Sequence, residues 1–128
     1  MTRALSMLLL AALCLAPLTA HADLSEEAKR QMDLAQEDLE AGNYERAVNS
    51  ASSALRLNPL LYDGLVIKAL AYEKLNESML AYSLLVTYQE LTRGMEQHPE
   101  VAPALQRLKK LIGAVASSPS PEPEPAAA

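Results

Sequence analysis

The stretch that decides the fold is LAQEDLEAGNYERAVNSASSALRLNP, Leu34 to Pro59. It divides at Gly42. Ahead of the glycine, Leu34 and Ala35 belong to a first helix that runs to Ala41; behind it, Tyr44, Ala47, Val48, Ala51, Ala54, Leu55 and Leu57 mark a second amphipathic helix. Glycine readily takes the left-handed backbone that ends a helix, Asn43 is a capping type for the next helix, and Asn58-Pro59 stops it. A turn this short forces the two helices antiparallel.

Working outward, helix formers dominate from about Leu24 to Ala116, and strand signals are absent. Ser25, with Glu26 and Glu27 behind it, reads as the N-cap of the first helix. A third helix is expected over about Tyr62 to Leu75, with Leu65, Ala69 and Tyr72 on one stripe. The Asn76-Glu77-Ser78 turn leads to a fourth helix, about Met79 to Arg93, stopped by Gly94. A fifth begins near Pro99 or Pro103, which suit only a first turn, and its Val101, Leu105, Leu108, Ile112 and Val115 share a face.

A lone hairpin cannot bury its own apolar face, so a repeat is expected. A shift of 34 residues lays Ala35 on Ala69, Ala47 on Ala81, Ala51 on Leu85, Val48 on Tyr82, Leu57 on Leu91 and Gly42 on Asn76. Turn, small residues and apolar positions coincide at this one shift. In these residues the chain resembles a tetratricopeptide repeat protein, whose unit is two antiparallel helices with small residues at the crossing, a Gly and an aromatic at the turn, and a closing Pro. The first repeat carries Leu34, Ala35, Gly42, Tyr44, Ala47, Ala54, Leu57 and Pro59 in order. The second carries Ala69, Tyr72, Ala81 and Tyr88, but has Lys68 in the place of Leu34, Asn76 at the turn and no closing proline.

The resulting expectation is an all-α fold of tandem antiparallel helical hairpins, two tetratricopeptide-like repeats at about 28–61 and 62–95, closed by a capping helix at about 99–116. Residues 1–22 read as a signal peptide: Arg3, an apolar run over Ala4 to Ala16, then Pro17 and Ala20-His21-Ala22, with cleavage before Asp23. The run stops well short of the roughly 20 apolar residues a membrane span requires. Leu13 ahead of Cys14 departs from the small residue that a lipoprotein signal places there. The domain at 23–116 is then followed by a Pro, Glu and Ala tail at 117–128 that has nothing to bury.

Cleavage removes Arg3 and no acid, moving the formal charge from -5 to -6. This balance argues against nucleic acid, whose binding depends on Lys and Arg at phosphates. Arg107, Lys109 and Lys110 read as a solvated helix end. The mature chain would contain no cysteine, which excludes disulfides, thiolate nucleophiles and cysteine-ligated metals. His98, the remaining histidine, precedes Pro99 and reads as a surface residue or helix cap.

Asp33, Glu37, Asp38 and Glu40 read as a solvated face, helped by ion pairs from Glu26 to Arg30 and from Lys29 to Asp33. Asn76-Glu77-Ser78 meets the glycan acceptor pattern, relevant if the source is eukaryotic. No catalytic constellation, phosphate loop or metal motif is present in the sequence, and no cofactor is implied.

The resemblance implies a protein-binding or assembly module of the cell envelope; the short, alanine-rich signal favours a bacterial periplasm, with no membrane insertion after cleavage. Its groove is expected on the first helix of each hairpin, at Met32, Gln36, Val66 and Leu70, which replace the Lys, Arg and Asn of carboxylate-clamping members. A peptide or helix of a protein partner is the expected occupant. A self-associating scaffold is the alternative, and an accessory subunit of an enzyme complex a third reading.

Overall fold

The computed structural model describes residues 17–117, with side chains from Asp23 onward. The described part is all-helical: α1 (Pro17–Ala41), α2 (Tyr44–Leu57), α3 (Asp63–Lys74), α4 (Ser78–Leu91) and α5 (Val101–Ser117). Helices α1 and α2 form one antiparallel hairpin and α3 and α4 a second, with α5 packed on the second. Most of the 1–22 leader and all of the tail beyond Ser117 lie outside the described residues.

The period read from the sequence recurs in the backbone. Gly42 takes φ 83° and Asn76, 34 residues on, takes φ 63°, the left-handed geometry that ends a helix. The same pair of bonds closes each turn. Asn43 N–H donates to the Asp38 carbonyl at 2.8 Å and Glu77 N–H to Tyr72 at 2.9 Å, while Gly42 N–H reaches Leu39 at 3.3 Å and Asn76 N–H reaches Glu73 at 3.2 Å. Asparagine does here what glycine does in the first hairpin, because its short polar side chain tolerates this conformation.

The core repeats with the backbone. Ala35, Ala47 and Ala51 of the first hairpin enclose Ile67 and Ala71 of α3. Their equivalents Ala69, Ala81 and Leu85 enclose Val101 and Leu105 of α5. Helix α5 therefore stands where the first helix of another hairpin would begin, and caps the stack. On α1 the positions matching Ile67 and Ala71 are Asp33 and Glu37, both exposed, so the opposite end of the stack is polar and terminal.

Several local expectations are overturned. Ser25 is not an N-cap, because α1 runs unbroken from Pro17 and carries Ser25 within it; nothing between Ala20 and Leu24 interrupts a helix. Asn43 makes no side-chain cap bond, and its Nδ2 donates instead to Asp38 Oδ1 at 3.4 Å. Asp38 is not solvated but 8% exposed, and Arg46 Nε lies 3.6 Å from the same oxygen. The anticipated pairs of Glu26 with Arg30 and Lys29 with Asp33 do not form. Glu27 pairs with Arg30 and accepts from Gln31 Nε2 at 2.8 Å; the Gln31 bond foremost, with help from Arg30, lowers the Glu27 pKa. Ser117 closes α5, donating to the Gly113 carbonyl at 2.8 Å, so the helix extends one residue past the expected boundary.

Candidate functional site

The four expected groove residues do not share one groove. Val66 is 0% exposed, packed with Leu85, Val101, Leu105 and Leu108 beneath α5, and therefore belongs to the core. The residue falls on the face of α3 that the capping helix covers. Gln36 is exposed and donates from Nε2 to Glu40 Oε1 at 2.7 Å. Met32 and Leu70 remain half-buried, but they line two different clefts.

The first cleft, about 470 Å³, opens between α1 and the two loops that join α2 to α3 and α4 to α5. Met32 contributes from α1, Leu60 and Tyr62 from the first loop, and Tyr88, Thr92 and Met95 from the end of α4 and the second loop. Leu60 is 71% exposed and Met95 59%, high values for side chains of this size. Lys29, Asp33, Asp63 and Glu96 complete the wall.

Both loops are held by specific bonds. Asn58 Oδ1 accepts from Leu60 N–H at 3.1 Å. Gln97 Nε2 donates to the Thr92 carbonyl at 3.0 Å and to Thr92 Oγ1 at 2.8 Å, and the Tyr88 hydroxyl accepts from His98 N–H at 2.9 Å. Gly94, at φ 83°, makes the turn between them that side-chain-bearing residues rarely adopt. His98 Nδ1 accepts from Glu100 N–H at 3.3 Å, so the histidine supports the entry to α5. Met95 and Glu96 are thus presented on a braced loop, and ordering them on binding costs little.

The second cleft, about 420 Å³, lies across the far ends of α1 and α3 and the start of α5, with Leu39, Tyr44 and Leu70 beside Glu73, Lys74, Glu100 and Arg107. Arg107 donates Nε and Nη2 to the two carboxylate oxygens of Glu73 at 2.8 and 3.0 Å. This bidentate bond raises the Arg107 pKa above its ordinary value. Arg107 is accordingly an inter-helix tie and not part of a solvated helix end. A third opening, about 460 Å³, separates the end of α5 from the start of α4 at Met79, Leu111, Ile112 and Val115.

The cleft residues that periodicity passes over are Leu60 and Met95. Their signal is that each is a large apolar residue in an inter-helix turn, where no core stripe requires one. Among the described residues no three His, Cys, Asp or Glu side chains are grouped as metal ligands, and no helix is long and apolar enough to cross a membrane. No protein-family model, curated protein or solved structure matches this chain. The tetratricopeptide resemblance therefore rests on the chain's own period, turns and crossing residues.

Proposed function

We propose that this protein is an exported tetratricopeptide-type binding module of the cell envelope, which holds a peptide or helix of a partner protein. The observation that carries the reading is the first cleft: Leu60 and Met95 are exposed beside half-buried Met32 on a scaffold whose loops are braced. Methionine is unbranched and polarizable, and it adapts to varied apolar side chains. A segment that inserted one or two such side chains would remove Leu60 and Met95 from water while leaving the helical scaffold unmoved. Export and a periplasmic location are supported by the Arg3 and Ala4-to-Ala16 leader.

The test places a photo-crosslinking residue at Met95 and, as a control, at exposed Asn49 on α2, in the native envelope extract. A partner joined at Met95 and not at Asn49, and lost in Leu60→Asp, is the expected result. Equal crosslinking at both positions, or survival in Leu60→Asp, refutes the cleft as the binding site.

A second reading, self-association, has an observation of its own. Met79, Leu80 and Val86 of α4 are exposed, whereas the equivalent positions of α2 carry the polar residues Glu45, Arg46 and Ser52. An apolar stripe of this kind on one hairpin alone suits contact with another polypeptide, including a second copy. Sedimentation over a range of concentrations separates the two readings, since only self-association makes the sedimentation coefficient rise with concentration.

A further inference from the structure

We infer that the first cleft selects a cationic segment, one that brings a bulky aliphatic side chain flanked by Lys or Arg. The inference rests on the proposal that this cleft binds protein, and it adds the chemistry of the occupant.

Asp33, Asp63 and Glu96 stand on the wall of the cleft against a single cation, Lys29. None of these three carboxylates has an ion-pair or hydrogen-bond partner among the described residues, whereas Glu27, Asp38, Glu73 and Glu90 each face an arginine. The second cleft makes the contrast plain. It holds two acids and two bases, and the Glu73 and Arg107 charges are already spent on each other.

In the first cleft the free carboxylates share the lining with exposed Leu60 and Met95, so apolar contact and negative charge are offered together. An acidic or neutral segment could fill the apolar floor but would leave the carboxylates without partners, and an acidic one would be repelled. A cationic segment meets both features at once. Charge complementarity of this kind mainly sets specificity and encounter rate, and it weakens with salt.

The test uses two labelled amphipathic helical peptides with the same Leu and Ile face, one carrying Lys and the other Glu on the polar face. Binding is followed by fluorescence anisotropy at low and physiological salt, and the site is located by NMR shifts of the Leu60 and Met95 methyl groups. The Lys peptide is expected to bind at least about tenfold tighter than the Glu peptide, with the gap shrinking as salt is added. The isosteric variant Asp33→Asn, Asp63→Asn, Glu96→Gln should abolish that preference. The control Glu37→Gln, Glu40→Gln, Glu45→Gln, which changes the net charge equally at residues outside the cleft, should retain it.

Three results overturn the inference: equal affinity for both peptides with Met95 shifted, an unchanged preference in the cleft variant, or an equal loss in the control. In those cases the cleft remains a docking site of other selectivity. If neither peptide moves Leu60 or Met95, the docking proposal fails together with the charge inference. Should the cleft variant not fold, the comparison of the two peptides on the unaltered protein still decides.

Discussion

The two hairpins share a backbone register but fill it differently, and exchanging their fillings is a demanding test of the fold. Leu85 of α4 is 0% exposed and occupies the position that Ala51 of α2, also 0% exposed, occupies in the first hairpin. Leu85→Ala removes three carbons, which at about 0.8 kcal/mol per buried methylene amounts to about 2.4 kcal/mol of transfer energy. The cavity left among Val66, Ala69, Tyr88 and Leu108 brings the loss to about 3 kcal/mol or more. With a urea slope of about 1.5 kcal/mol per molar for a small domain, the unfolding midpoint should fall by about 2 M.

The mirror change does not restore what is lost. Ala51→Leu adds the same carbons between Ala35, Ala47, Ile67 and Ala71, where the helices are spaced for alanine, and should cost about 1–3 kcal/mol through overpacking. The two sites lie in separate clusters, so the double variant should show the sum. Urea unfolding followed by circular dichroism measures all three. An unchanged midpoint in Leu85→Ala, or a stabilised Ala51→Leu, would refute the assignment of the two packed layers.

Three further expectations follow from particular contacts. Val66→Asp places a charge in the covered core and should lower stability by more than about 3 kcal/mol, whereas Gln36→Ala at an exposed site should change it by less than about 0.5 kcal/mol; thermal melts of both variants check this. Gly42→Ala puts a side chain at φ 83° and should cost about 1–2 kcal/mol, while Asn76→Gly at φ 63° should be close to neutral, as chemical denaturation will show. A double-mutant cycle on Glu73→Ala and Arg107→Ala should give a coupling of about 0.2–1 kcal/mol, since Arg107 remains half exposed; a zero coupling would mean that the bond does not hold α5 to α3.

Much of the fold is legible because it is local. Helix positions depend on apolar spacing, and turns on residues such as Gly42 that relieve a backbone constraint within a few positions. The 34-residue period could be read because each hairpin solves the same packing problem with similar residues. The misreadings are also local in origin. Ser25 and Asn43 are good capping types, but α1 continues through the first, and the buried Asp38 carboxylate draws the second away from its cap.

The sequence by itself determined the all-helical hairpins, the turn positions, the small crossing residues and the place of the capping helix. Only the tertiary structure decided which faces stay open. Val66 and Leu70 lie four residues apart on α3, yet the first is covered by Val101, Leu105 and Leu108 and the second opens on a cleft. Arg107 likewise finds Glu73 across 34 residues of chain, and Leu60 and Met95 come to one opening from two separate loops. Periodicity specifies that a helix has an apolar side. How far a neighbouring helix covers that side depends on the crossing of elements distant in sequence, and no local pattern records it.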